Sequence, residues 1–155
     1  VNIQGDEPLI APEAIDLAVS ILRADPNAEV STLARPITSV SELENPNVVK
    51  VVVAADQTAL YFSRSPIPFC RDCKTREDWL KFYPYLKHLG VYVYRRETLL
   101  EFVDWPPGNL ERIEQLEQLR FLEHGIKIHV ARTEYDSRCV DTPEDLEALN
   151  RDLMT

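Results

Sequence analysis

The sequence predicts an α/β fold, a mostly parallel, twisted sheet flanked by helices. Three observations predict it. Short runs of apolar/polar alternation or continuous Val-rich character, the period of strands, take turns with runs of period 3.6, the period of helices. Pro, Gly and Asp-Pro punctuation separates the runs. The chain has 155 residues, 45% hydrophobic and 28% charged, which suits one domain with a real core rather than a disordered segment.

Val1–Gln4 alternates as a strand, and Pro8 forbids its continuation. Pro12 suits a first helical turn, and Ile15, Ala18, Val19 and Leu22 then share one face until Asp25-Pro26. Val30–Ala34 reads as the next strand, ended by Pro36. The stretch SVSELENP reads as a short helix capped by Ser39 or Ser41. Asn47–Ala54 and Ala59–Ser63 form a predicted hairpin around Ala55-Asp56-Gln57. Residues 64–84 read as irregular, a long excursion that serves as a loop over a site or as an arm towards a partner. Leu86–Tyr94 returns to strand, and Glu97–Val103 to helix. Asn109 then caps a single predicted helix over Leu110–Glu123, which Gly125 ends. Ile126, Ile128 and Val130 alternate as the last strand. Thr142-Pro143-Glu144-Asp145 starts the last helix, with Leu146, Leu149 and Leu153 on its apolar face.

The formal net charge of -9 argues against a nucleic-acid backbone or an anionic membrane as partner, since both attract basic patches. No run approaches the roughly 20 apolar residues of a membrane span. Three cysteines do not make a disulfide framework, and the single C-x-x-C of Cys70 and Cys73 reads as two thiols in a loop, with zinc as the weaker alternative. A cytoplasmic setting fits. Residue 1 already lies inside a strand pattern, so Val1 reads as a cut end.

Ligands of such sheets bind beyond the carboxyl ends of strands. Asp6 follows Gly5 at one such end, and Asp141 lies shortly after another. Either carboxylate suits Mg²⁺, and either serves equally as a cap of the turn or helix that follows. Glu117 shares a helical row with Ile113 and Phe121, so it either snorkels or meets a hydroxyl-rich ligand together with Gln118. His88, two residues before Gly90, is a core histidine or a site residue. Arg64 is a surface ion pair or a partner for an anion. No glycine-rich phosphate loop is present, the four glycines being 5, 90, 108 and 125.

Taken together, VNIQGDEP, NPNVVKVV, ALYFSRSPIPF, KHLGVYVYRRETL, LERIEQLEQLR and VDTPEDLE, in that order, resemble the 3-deoxy-manno-octulosonate (Kdo) cytidylyltransferases, the CMP-Kdo synthetases of lipopolysaccharide synthesis. The resemblance covers nearly all of residues 1–150 and implies a nucleotide-diphospho-sugar transferase-like fold. It implies transfer of a cytidylyl group from CTP to Kdo, with Asp6 and Asp141 as catalytic carboxylates holding Mg²⁺. Gln4, Arg64, His88, Tyr92, Glu117 and Gln118 become contacts to the sugar acid. A homodimer is implied, with the arm at about 64–86 of the single domain 1–155 as its contact.

Members of that family begin with an Arg/Gly-containing loop of the form L-I-P-A-R-x-x-S-T-R-L-P-G-K, which this chain does not contain. The expectation is therefore a C-terminal portion lacking the CTP-binding loop, inactive alone, with its first strand an unpaired edge. The alternative is a non-catalytic module that binds a sugar acid or dimerises. A third reading, a metal-binding regulator built on Cys70 and Cys73, rests on the thiol pair alone.

Overall fold

The computed structural model describes residues 1–4, 10–135, Glu147 and Arg151. Among them a sheet of six strands carries helices on its faces, as the α/β reading expects. The strands are β1 (Asn2–Ile3), β2 (Val30–Pro36), β3 (Lys50–Val53), β4 (Ala59–Ser63), β5 (Leu86–Tyr94) and β6 (Ile128–Arg132). Their order is β4-β3-β5-β2-β6, with β1 also on β5. The helices are α1 (Pro12–Ala24), α2 (Val40–Glu44), α3 (Arg76–Phe82), α4 (Arg96–Asp104), α5 (Asn109–Glu114) and α6 (Leu119–Glu123).

The expectation of a mostly parallel sheet is corrected to a mixed one. Among the described residues only β2 and β6 run parallel. β5 is antiparallel to β1, β2 and β3, and β3 pairs β4 as the predicted hairpin. The reason is that β5, which returns from the 64–84 excursion, inserts between β2 and β3 against their direction.

Alternation along β5 divides the core. Leu89, Val91 and Val93 face α1, where they pack with Ala14, Ala18, Leu22 and Leu33. Tyr92 lies in the opposite cluster with Phe62, Phe121 and Val130. The C-terminal end of α1 is fastened by one side chain. Arg95 donates from Nε to Ala28 O at 3.1 Å and from Nη2 to Asp25 O at 3.1 Å and to Leu22 O. These bonds complete the carbonyls that the last helical turn leaves open.

Two stretches differ from their sequence reading. Residues 64–84 are not wholly irregular: α3 starts at Thr75, whose hydroxyl accepts from Asp78 N while Asp78 accepts from Thr75 N. That capping box is written as Thr-x-x-Asp, with Asp in the place of the commoner Glu. Trp79 and Tyr85 join Ile37 and Leu43 in a third cluster, and Cys70 and Cys73 lie beside it. The structure joins the two cysteines as a disulfide, Cα atoms 5.5 Å apart, where the sequence suggests free thiols.

The single helix over 110–123 is in fact α5 and α6. Gln115 takes a left-handed conformation at φ 55° and ends the first. Ile113 is exposed, so the apolar row through Glu117 does not exist. The strand at residues 1–4 pairs with β5 on one side, and among the described residues its other side is an unpaired edge carrying exposed Val1 and Ile3, as expected. Apart from Glu147 and Arg151, which are helical, the last predicted helix lies outside the described residues.

Replacing Arg95 with Ala is expected to lower unfolding stability by about 2 kcal/mol through the lost charge-assisted bonds, while Arg96→Ala, on the exposed side, shifts it by less than about 0.5 kcal/mol. Urea denaturation of the two variants measures the difference.

Candidate functional site

One edge of β5 is shared by two strands. β3 pairs with Leu86 and Lys87, and β1 pairs with Val91 and Tyr92. Both run antiparallel to β5, so the end of β1 points at the start of β3 along the same edge. The interval between them is bracketed by His88 N bonding Val49 O at 2.9 Å and Gln4 N bonding Gly90 O at 3.3 Å. A cavity of about 550 Å³ lies at this break, within the usual range for a small-molecule site.

Gln4, Arg64, His88, Tyr92, Glu117 and Gln118 all line it, so the structure gathers six of the residues singled out in the sequence. Asp6 and Asp141 lie outside the described residues. The same wall includes Asn2, Asn47, Lys87, Tyr94 and Gln115, which sequence reasoning did not select. Asn47, Lys87 and Gln115 lie within the quoted motifs and carry polar ends, a usable signal, but Gln115 is turned to the rim by a left-handed backbone conformation that its sequence does not announce.

β5 supplies the floor. Its even-numbered residues His88, Gly90, Tyr92 and Tyr94 all face the cavity. Gly90 leaves room for Gln4: a Cβ there would meet Gln4 Oε1 at 2.9 Å and would shift the Gln4 side chain from its place across the strand. Aromatic rings wall the floor. Phe62 meets His88 edge-on at 5.1 Å, His88 lies 5.2 Å from Tyr92, and Tyr92 stacks on Tyr94 at 5.7 Å. Tyr94 in turn stacks on Phe121 at 5.6 Å.

The rim at 115–118 is held by β4. Glu114 accepts from Ser63 Oγ at 2.7 Å and from Arg64 N at 3.0 Å. The Arg64 guanidinium donates to Glu114 O, Pro46 O and Gln115 O at 2.8, 3.0 and 3.3 Å. Arg64 thus spends three of its five donors on fastening the helix break, a positioning part as well as a lining one. Below it, Lys50 is fully buried and donates to Asn45 O and Val48 O at 3.0 and 2.6 Å. Burial, and then the Arg64 charge, bring the Lys50 ammonium down to about 8.

Two groups in the floor are perturbed. Tyr92 is only 4% exposed, and among the described residues its hydroxyl is the buried side-chain polar atom without a hydrogen-bond partner. Burial, with Tyr94 and the Glu117 charge, raises it well above the ordinary phenol value, so it stays an O–H. An unpaired buried hydroxyl costs about 1–3 kcal/mol, and a ligand oxygen would remove that cost. Burial brings His88 down to about 3, so its ring is neutral near pH 7. Among the described residues no group of three or more His, Cys, Asp or Glu could hold a metal ion.

This fold and this cleft define an α/β protein with a ligand-sized, hydroxyl- and amide-lined pocket at a break in its sheet. A family model described as cytidylyltransferase matches residues 1–128, and the chain belongs to that family. It is 53% identical over 151 residues to the 3-deoxy-manno-octulosonate cytidylyltransferase of Solibacter usitatus, covering 97% of this chain and 58% of the relative. The protein of the same name from Syntrophobacter fumaroxidans is 51% identical over 149 residues, covering 96% and 58%. A solved CMP:2-keto-3-deoxy-manno-octonic acid synthetase complexed with CTP superposes with a TM-score of 0.86 at 42% identity, covering 99% of this chain and 60% of that one. The chain therefore spans about three-fifths of the length of these relatives.

The low His88 value carries a pH signature. Its folded value, about 3, lies below the ordinary 6.5, so between those limits the unfolded chain binds more protons. Stability from this residue is present above pH 6.5 and is lost as pH falls towards 3. His88→Gln is expected to lose less stability than the parent between pH 7 and pH 4, measured by denaturant unfolding at each pH.

Proposed function

We propose that this chain serves cytidylyl transfer from CTP to 3-deoxy-manno-octulosonate, giving CMP-Kdo and pyrophosphate for lipopolysaccharide synthesis. The names of the relatives and the family support the reaction class. The observation that carries the sugar-acid half is the Tyr92 hydroxyl, buried and among the described residues without a partner, on a residue lining a cavity that also collects Gln4, His88, Glu117 and Gln118. A polyol offers each of these a hydroxyl. The Tyr92 O–H donates to a sugar oxygen, and the Glu117 carboxylate accepts from a sugar hydroxyl. The amides of Gln4 and Gln118 do either. Arg64 and Lys87 place positive charge on a wall that faces an acid.

In the reaction the anomeric oxygen forms a bond to the α-phosphorus of CTP, the bond from that phosphorus to the bridging oxygen breaks, and the hydroxyl proton is released as pyrophosphate departs. This chain's residues hold the sugar acid in place for that displacement, so their contribution is orientation. Asp6 and Asp141 are the proposed ligands of Mg²⁺, for which a pair of carboxylates is a suitable donor set. Gln4, which follows β1 and stands two residues before Asp6, lines the cavity, which supports a metal beside the sugar acid. The ion, when bound, neutralises charge on the phosphates.

A cytoplasmic setting is proposed, in keeping with a CTP-consuming step. A homodimer is also proposed, formed through the 64–86 arm, where Phe69 and Phe82 are each 75% exposed.

Titration calorimetry with Kdo tests the reading. Binding is expected, and His88→Gln or Tyr92→Phe is expected to weaken it about 10-fold, the worth of one or two hydrogen bonds. A folded protein that takes up no Kdo overturns it. This chain alone is expected to bind Kdo but to release no pyrophosphate from CTP, Kdo and Mg²⁺; turnover by it would refute the expected inactivity and rule out a module that only binds the sugar acid. For the dimer, sedimentation of the Phe69→Ser/Phe82→Ser double variant is expected to give a monomer where the parent gives a dimer; a parent that sediments as a monomer refutes the arm contact.

A further inference from the structure

β5 departs from its register with β2 beside the cavity. Thr32 pairs with Tyr92, but the next residue, Leu33, pairs with Leu89, so Gly90 and Val91 bulge out of the ladder. The Thr32 side chain fills this irregularity. Its hydroxyl lies 2.7 Å from Val91 O and 3.3 Å from Leu89 O, and 2.9 Å from His88 Nε2. Thr32 is fully buried, so no solvent competes for these contacts.

A hydroxyl has one proton and two lone pairs. Both carbonyl oxygens can only accept, so the Thr32 proton goes to them, and Val91 O is the nearer. The contact to His88 must then run the other way: Nε2–H donates, and Thr32 Oγ1 accepts. In a neutral ring this leaves Nδ1 without a proton. Nδ1 takes part in no hydrogen bond among the described residues, and it is not among the buried atoms without a partner. It is therefore a lone pair that keeps some accessible surface, on a half-buried ring that lines the cavity.

We propose that Thr32, which does not line the cavity, is a positioning residue that locks His88 as the Nε2–H tautomer, so that Nδ1 presents a hydrogen-bond acceptor to a hydroxyl of the ligand. Resting on the proposed sugar-acid site, this gives the floor a matched pair. Tyr92 presents a donor and His88 an acceptor, their rings 5.2 Å apart. Adjacent sugar hydroxyls, or one hydroxyl acting in both senses, satisfy the pair. A ligand carrying only acceptors there, such as a ketone or a fluorine in place of the hydroxyl, leaves Nδ1 unpaired. The bulge thus has a use: it opens the carbonyls that draw the Thr32 proton away from His88.

The tautomer is read without ligand, by long-range proton–nitrogen NMR of the His88 ring in the whole chain. The expected spectrum has a protonated Nε2 and a bare Nδ1. A protonated Nδ1, or an even mixture, overturns the assignment whether or not Kdo binds. Thr32→Val is expected to release the tautomer towards a mixture and to weaken Kdo about 10-fold, the worth of one oriented hydrogen bond, while Thr32→Ser retains both within about 3-fold. If Val is not tolerated by the fold, Thr32→Ala carries the same comparison. A variant lacking the hydroxyl that keeps the parent spectrum, or one that loses the tautomer yet binds Kdo as the parent does, refutes the positioning role. Failure of the parent to bind Kdo defeats the sugar-acid reading instead, and the spectrum still decides the tautomer.

Discussion

The site depends on one constraint of strand pairing. A strand edge offers one set of donors and acceptors, and β5 divides that edge between β3 and β1. The ladder with β3 stops at Lys87 and that with β1 at Val91, and single bonds at His88 N and Gly90 O mark the two ends of the interval between them. Where a third strand would have closed the ladder, the side chains of Gln4 and Asn47 meet the floor of a cavity instead. Extending either neighbour by a few residues would seal it. The short length of β1 and β3 is therefore a functional dimension, set on one side by the Gly-Asp-Glu-Pro that follows Gln4 and on the other by Pro46.

A break in a sheet would collapse unless its walls were stiff. The aromatic series from Phe62 through His88, Tyr92 and Tyr94 to Phe121 and Phe102 supplies one stiff wall, with successive rings 4.3 to 5.7 Å apart. The Arg64 and Glu114 bonds supply another, by fastening the 115–118 rim to the end of β4. Gln115 is held at positive φ there, a strain of order 1 kcal/mol that the surrounding bonds offset. Each device spends ordinary stabilising contacts on holding polar groups apart from one another, which leaves them available to a ligand.

Local chemistry was legible in the sequence where it was written in single residues. Pro12 and Asp25-Pro26 delimit α1, Ser39 caps α2, and the hairpin turn lies at 55–57 as the residues imply. The six residues that line the cavity were legible too, through their motifs. Direction was not legible: an α/β alternation suggests parallel pairing, but strand order is decided by which edges remain free once β5 returns. The split of α5 from α6 was hidden as well, since Gln115 has no propensity for the left-handed region, and the Arg64 clamp that holds it comes from 50 residues upstream in the chain. Thr32 was invisible for a similar reason. Its part follows from a bulge, and a bulge is a property of two strands.

For the proposed sugar-acid ligand, an acidic protein needs selectivity that does not rest on bulk charge. With a net charge of -9, long-range attraction works against an anion, and a site built from lysines alone would be neutralised by its own surroundings. Neutral recognition avoids this. A phenol kept as O–H by burial and an imidazole kept neutral by burial are both insensitive to the field around them near pH 7. Their directionality then carries the information, and directionality requires that each proton's place be fixed before the ligand arrives. That requirement accounts for a buried threonine beside the histidine and for the absence, among the described residues, of a partner on the Tyr92 hydroxyl: the first sets the acceptor, and the second keeps the donor unspent.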